Sequence, residues 1–410
     1  MTRLVQLTTY PLKSPRHGGQ LRCAAIRERY RRIGIEVNSV AVLHEGHYRA
    51  ADREADDIAL PIESTHWNPK LTNFTDLQIG RFLDADNAVR ERFFALLRRL
   101  RPDVIQLEQP WLFAAVRRYL DALRAEGLRR PLLVYSSQNI EWKLKRDDVA
   151  SRSASGYESE VEAVRALERD LVSHADVVIA CTADELDELR AMASSTDRRY
   201  VIAANAIAPF AADPKRTHAL MQRHGLGRYP IFVGSAHPPN ADGFWEMLAP
   251  SLAFLRPDEK IVVAGGVGHL LRNHAIYRAW SGINEPRLAV LGEVEREDLV
   301  ALLYGASAIL LPITTGGGSN LKTAEAIYTG NPVIATTHAL RGYGDAGQWP
   351  TLTVADTPDA FRRLVRERLD ATKSSLPTGY DLLRECVTWD VALAELADEM
   401  KGLSARTSDS

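Results

Sequence analysis

The chain predicts an α/β protein built from two open parallel layers, and three observations carry that expectation. Its 410 residues exceed what one core holds, since single cores stop growing at about 250–300 residues. Val-, Ile- and Leu-rich runs alternate with helical patterns almost throughout, as stacked βαβ units do. The alternation breaks once, in a Pro- and Ala-rich stretch, and then begins again. Composition agrees: 45% of residues are apolar and 25% charged, which excludes a disordered or fibrous chain. A net charge of −2 excludes a chain-wide nucleic-acid surface. Cys23, Cys181 and Cys386 are too few and too scattered for a disulfide framework or a metal spacing, and the expectation is a cytoplasmic protein. The opening "MTRLVQLTTYPLKSP" lacks a signal-peptide core, and no window reaches the ~18–20 apolar residues of a membrane span.

In order, the first half reads as strand "LVQLTTYPL", a loop and helix "GGQLRCAAIRERYRRIG", and strand "IEVNSVAVL". The helix "DNAVRERFFALLRRLRP", which stops before Pro102, leads to strand "DVIQLEQP", helix "FAAVRRYLDALRAEG" and strand "PLLVYSSQNIE". A charged helix over about Glu158 to Ser173, strand "ADVVIACT" and helix "ADELDELRAMA" complete it. A hinge is expected at Pro209 to Lys215. The second half alternates "PIFVGS", "KIVVAGGVG", "RLAVLGEV", "SAILLPIT" and "PVIATT" with helices, and "TWDVALAELADEMKGL" is a last amphipathic helix. The expected division is residues 1–208, 209–385 and a crossing helix with a polar tail over 386–410.

The chemistry concentrates in "TTGGGSNLKTAEAIYTG", where Gly316, Gly317 and Gly318 follow a strand and open a helix. Bare backbone there permits positive φ and close approach, and free N–H groups of a helix's first turn favour an anion, most often phosphate. Lys322 stands in that first turn, against the helix dipole unless an anion is bound. Glu325, three residues on, shares its face and is suited to accepting hydrogen bonds from sugar hydroxyls. Taken alone, the stretch reads equally as a loop beside an ordinary surface ion pair.

Together with "IFVGSAHPPNADGF", "KIVVAGGVG" and "AVLGEVEREDLVALLYGASAILLPI", this segment resembles the nucleotide-sugar domain of retaining glycosyltransferases of family 4, which have the GT-B fold. The resemblance covers most of Pro230 to Thr337 and extends weakly through "GGQ", "DVIQLEQP", "QNIE", "ADVVIACTADELDEL" and "IAANAI" of the first half. It implies two facing Rossmann-like domains with a cleft, the acceptor held by the first and the activated sugar by the second. The family's motif commonly has two glutamates; only the second, Glu325, is present, and Gly317 stands eight positions earlier in place of the first. The chain is thus similar to a subgroup with a triple glycine. The diphosphate-clamping Arg and Lys that relatives place after Gly234 are also missing, their loop here reading "SAHPPN" with His237 and Asn240.

Carried over residue by residue, the resemblance gives Gly318, Ser319, Asn320 and Leu321 to the diphosphate, with Lys322 as its main cation, and Glu325 to the ribose. Gly266, with Gly265 and Gly268, would let the donor approach, and Val294 would lie against the base. In the first half, Gly18 and Gly19 open a helix beside the transfer site, with His17 as an acceptor contact or, more simply, a loop histidine. Glu108 and Gln138-Asn139 stand at strand ends. Glu108 occupies a position near which relatives often keep a catalytic or positioning histidine, and it is either an acceptor-binding catalytic group or a buried structural acid. The "DAD" at Asp84 to Asp86 imitates a metal-binding D-x-D but begins a helix, where acids cap and complement the dipole. No metal is expected.

Arginines crowd the first-half helices (Arg27, Arg29, Arg31 and Arg32, then Arg98, Arg99 and Arg101, then Arg117, Arg118, Arg129 and Arg130). They suit either peripheral contact with an inner membrane surface and a lipid-linked acceptor, or solvated helix faces, the commoner case with acids interleaved. The expected function is metal-free transfer of a sugar, with retention, from a UDP- or GDP-sugar to an acceptor hydroxyl in glycan or polysaccharide synthesis, with no cofactor beyond that donor. A sugar-nucleotide epimerase, a phosphorylase or a non-catalytic binding subunit on the same fold are the alternatives.

Overall fold

The computed structural model describes residues 1–151, 156–193, 198–372 and 376–408. It divides into two compact units: Met1–Ala204 together with Leu393–Ser410, and Asn205–Ala392.

The first unit holds a parallel sheet of β1 (Arg3–Thr8), β2 (Glu36–His44), β3 (Ile58–Leu60), β4 (Val104–Leu107), β5 (Leu132–Ser136), β6 (Val177–Ala180) and β7 (Arg199–Ile202). Its order is β3-β2-β1-β4-β5-β6-β7, so the order reverses between β1 and β4. Short, wholly apolar runs such as Val177–Ala180 are buried along their length because helices cover both faces. Val5, Leu7, Ile105 and Leu107 meet Phe93, Phe113 and Leu171 in the main core.

The second unit repeats the plan with β8 (Pro230–Val233), β9 (Ile261–Ala264), β10 (Leu288–Gly292), β11 (Ala308–Leu311), β12 (Val333–Ala335) and β13 (Leu352–Val354), in the order β10-β9-β8-β11-β12-β13. Alternation along each strand splits its core between the two faces. Ile231, Val262 and Ile309 pack with Ala324 and Ile327, whereas Phe232, Val263 and Leu310 pack with Phe244, Trp245 and Phe361.

The two α/β layers expected from the alternation are present, and each strand named from sequence has its counterpart. Three edge strands, β3, β7 and β13, are additional; they are three or four residues long and present too little periodicity to read. Beyond "PVIATT" lies the helix Pro358–Asp370, which the sequence reading did not name: Thr357 caps the Ala360 N–H at 3.4 Å and Pro358 takes the first turn. The helix Ala394–Ser408 belongs to the first unit, where Glu399 pairs with Arg199 of β7 and Leu396, Ala397 and Met400 are buried. Residues 409–410 of the expected tail lie outside the described residues. Among those described, no helix is long and apolar enough to cross a membrane.

Gly80, inside the helix Thr75–Ala85, lets that helix rest on the Trp111 backbone, since a Cβ there would fall 1.9 Å from the Trp111 carbonyl oxygen. Gly80→Ala is expected to cost about 1–3 kcal/mol by overpacking in a denaturant titration. Gly282→Ala, with nothing within 4 Å of the new carbon, should change stability little.

Candidate active site

The second sheet reverses its order between β8 and β11, and the loops that leave these strands carry most of the residues singled out above. Open parallel sheets bind ligands at that reversal, outside the carboxyl ends of their strands. Gly234 ends β8 and leads to His237, which precedes the helix Pro238–Leu248 and is exposed. Gly316 to Asn320 end the β11 connection and lead into the helix Leu321–Thr329.

Lys322 ties the two loops together. Its Nζ donates to Asn240 Oδ1 at 2.6 Å, while Asn240 Nδ2 donates to the Ser235 carbonyl at 3.0 Å. Nζ also lies 5.9 Å from the centre of the Phe232 ring. The side chain is half-buried with its ammonium beneath the surface, and that desolvation pushes its pKa down to about 8, against the opposing charge of Glu325. Glu325 itself is paired with Arg296, whose guanidinium rests 5.1 Å from the Phe210 ring centre. Lys322 and Glu325 therefore share a neighbourhood without bonding to each other.

Gly316 and Gly318 have φ of 113° and 64°, which side-chain-bearing residues adopt rarely. The turn they make is held from outside. Arg341 donates to the Gly317 and Gly318 carbonyls at 3.3 and 3.2 Å. Ser319 Oγ accepts the Asn205 N–H at 2.8 Å, and the Ser319 carbonyl accepts Asn205 Nδ2 at 2.6 Å. The Tyr343 hydroxyl lies 2.7 Å from the Asn320 carbonyl. His338, beside Arg341, is pushed down to about 4 by burial and by that guanidinium, so it adds no charge at neutral pH. Leu321 begins the helix, and the N–H groups of Ser319, Asn320, Leu321 and Lys322 make no hydrogen bond among the described residues. Asn320 Nδ2 is likewise buried without a partner.

Gly265, Gly266 and Gly268 answer to packing. A Cβ at Gly265 would sit 2.3 Å from the Gly234 carbonyl oxygen, one at Gly266 3.1 Å from Ala236, and one at Gly268 2.3 Å from Val290. Val294 is half-buried in the connection after β10.

In the first sheet, the equivalent reversal places Gly18 and Gly19 after β1 and Glu108 after β4. His17 is the cap of the helix Gly18–Arg32: its Nδ1 accepts the Gln20 N–H at 3.4 Å, and Gln20 Oε1 answers the His17 N–H. A side chain at Gly19 would meet Gln138, whose Nε2 donates to the Tyr10 hydroxyl at 2.6 Å. Glu108 is 0% exposed; its Oε1 accepts Gln6 at 2.5 Å and Gln106 at 2.6 Å, and Oε2 is buried without a partner. Enclosed in this way, it presents no surface to an acceptor. Asp86 caps the helix Asn87–Leu100 through the Val89 N–H, and Asp84 binds Arg118. Arg98, Arg99, Arg117 and Arg130 are likewise paired with Glu126, Asp56, Asp170 and Asp176.

Two groups in this unit have no counterpart in the sequence reading. Glu168, 0% exposed, accepts the N–H groups of Glu141 and Trp142 and the Tyr135 hydroxyl, so it seats the start of the helix Glu141–Ser151. Burial, and then the Glu168 charge, push the Glu141 carboxyl up to about 8. Likewise, Asn205, Arg341 and Tyr343 became visible only in three dimensions. The one available signal was that "THALRGYG" follows a strand at the carboxyl edge of the sheet.

Residues 17–206 match the family model described as "Glycosyl transferase 4-like domain", and residues 227–370 match "Glycosyl transferases group 1". No curated protein sequence matches the chain. Among solved structures, Alr3699/HepE of Anabaena, in complex with UDP, is 14% identical with a TM-score of 0.65, covering 98% of this chain and 100% of its own. Sucrose-phosphate synthase of Thermosynechococcus elongatus is 13% identical with a TM-score of 0.68, covering 99% and 100%. WaaG, a glycosyltransferase involved in lipopolysaccharide biosynthesis, is 18% identical with a TM-score of 0.64, covering 97% and 100%. The chain thus carries, in order, the two domains of a GT-B glycosyltransferase.

The Glu141 carboxyl keeps its proton in the folded protein up to about 8, whereas an unfolded chain gives it up near the ordinary glutamate value of 4.5. The folded state binds more protons across that window, so this group's contribution to stability falls as pH rises through it. Thermal unfolding of Glu141→Gln, compared with the native chain from pH 5 to pH 9, should show a flatter decline.

Proposed function

We propose that the protein transfers a hexosyl group from a UDP- or GDP-sugar to an acceptor hydroxyl, with retention of configuration and without a metal. The observation that carries this is the pairing at the second sheet's reversal of a desolvated Lys322 with the unengaged N–H groups of Ser319 to Lys322. As the glycosidic bond breaks, negative charge grows on the departing diphosphate. Donors already aimed at it stabilise that charge without reorganising. The Lys322 ammonium adds a full positive charge where the helix N-terminus adds a partial one. In this reading Glu325 takes ribose hydroxyls, with Arg296 holding its carboxylate in place, and Val294 lies against the base.

Retention follows from attack on the face that the leaving group vacates, with the diphosphate itself receiving the acceptor's proton. The first unit holds the acceptor near the His17-Gly18-Gly19 turn. Glu108 is read as a structural acid, because both of its described hydrogen bonds are internal. The paired arginines favour solvated helices over a membrane-facing surface, so a soluble glycan acceptor is preferred to a lipid-linked one.

Incubation with UDP-, GDP- and ADP-sugars should release one nucleoside diphosphate slowly in the absence of acceptor. Release of none of them would remove the transferase reading. Lys322→Ala should lower kcat by about 10²–10³-fold or more, and unchanged turnover would remove the phosphate role. Because Lys322 loses its proton near 8 in the free protein, diphosphate affinity should fall above that pH, by up to about tenfold per unit. The fall should vanish in Lys322→Met, as read by isothermal calorimetry from pH 7 to pH 9.5.

A further inference from the structure

Each carbonyl from Gly317 to Asn320 is held by a side chain. Arg341 takes the first two, at 3.3 and 3.2 Å, Asn205 the third at 2.6 Å and Tyr343 the fourth at 2.7 Å. The Asn320 carbonyl also accepts the Thr323 N–H at 3.0 Å, which begins the helix. A trans peptide is planar, so its C=O and N–H point in opposite directions and cannot turn independently. Holding the carbonyls of Gly318, Ser319 and Asn320 therefore aims the N–H groups of Ser319, Asn320 and Leu321 away from Arg341, Asn205 and Tyr343. Those three N–H groups are among the four, Ser319 to Lys322, that make no hydrogen bond among the described residues.

The holders are tied to one another. The Asn205 N–H is fixed on Ser319 Oγ at 2.8 Å, and the one proton of the Tyr343 hydroxyl is shared between the Asn320 carbonyl and that of Asn205, 2.9 Å away. Tyr343 is itself packed, 6% exposed, and its own carbonyl accepts Trp349 Nε1 at 2.7 Å. A loop with glycines at φ of 113° and 64° would otherwise sample many peptide orientations. Here three side chains from two separate segments select one.

We infer that Arg341, Asn205 and Tyr343 are positioning residues for the donor diphosphate: by fixing the carbonyls they pre-aim the N–H groups of Ser319, Asn320 and Leu321 at its oxygens. The inference rests on the nucleotide-sugar reading above. Arg341 acts through the backbone, so its geometry matters more than its charge. A lysine in its place keeps the charge and loses the two-pronged hold on adjacent carbonyls.

Calorimetric binding of UDP, GDP and ADP, each against its nucleoside, tests this in the native chain, Tyr343→Phe, Arg341→Ala and Arg341→Lys. For the diphosphate that the native chain binds, Tyr343→Phe should weaken affinity about fivefold, and both Arg341 variants about tenfold or more. Nucleoside affinity should stay unchanged in all three. Tyr343→Phe removes one oxygen atom and keeps the packed ring, so it remains informative even where an Arg341 variant fails to fold. Native-like diphosphate binding in Tyr343→Phe and Arg341→Ala overturns the positioning role, as does full rescue by Arg341→Lys, which would make Arg341 a simple cation. Equal loss of nucleoside and diphosphate overturns it too, since that marks general collapse of the site. If the native chain binds none of the three diphosphates, the donor-site reading itself fails and this inference falls with it.

Discussion

In a parallel sheet whose strand order reverses, the connections leaving the two central strands run to opposite faces, and the gap between them has no helix over it. That constraint governs each unit of this protein. In the second it sets the β8 and β11 connections side by side, close enough for Lys322 on one to bond Asn240 on the other. The glycines at Gly234 and Gly265 serve the same end. Their backbones meet where a Cβ on Gly265 would come within 2.3 Å of the Gly234 carbonyl oxygen, which draws the β9 turn up against the β8 loop.

Within that gap the electrostatics are left deliberately incomplete. Lys322 faces a carbonyl dipole on Asn240 rather than a carboxylate, since Glu325 is engaged by Arg296. A cation in the first turn of a helix also opposes the helix dipole. Burial raises the cost of both, and the group responds by holding its proton less firmly. On the reading proposed above, a bound anion would offset both, and a neutral ligand of the same shape neither, so charge would be selected before shape.

Much of this was legible from residues alone. The alternation of apolar runs and helical patterns gave both layers, because buried parallel strands must be continuous apolar runs, and Gly-Gly-Gly before Leu-Lys announced a bare-backbone turn into a helix. What stayed hidden depended on contacts between segments. Asn205 lies more than a hundred residues before the loop that it holds, and nothing in "IAANAI" states what its amide will meet. Glu108 shows the converse. A carboxylate at a strand end is equally plausible in a cleft or in a core, and only the Gln6 and Gln106 side chains decide between them. The "AGGVG" glycines were ambiguous for the same reason: absence of a side chain marks close approach without saying whether a ligand or a neighbouring strand approaches.

The return of Leu393–Ser410 to the first unit sets the order in which the molecule can be completed. Asn205–Ala392 is one uninterrupted stretch and has its whole core once it leaves the ribosome. The unit whose synthesis starts first stays without the helix that buries Leu396 and Met400, and without the partner of Arg199, until the other has been made. Closing that contact joins residues 200 positions apart in sequence, a separation whose entropic cost falls once the intervening stretch is already compact. Of the two units, the one made earlier is therefore the later to become whole.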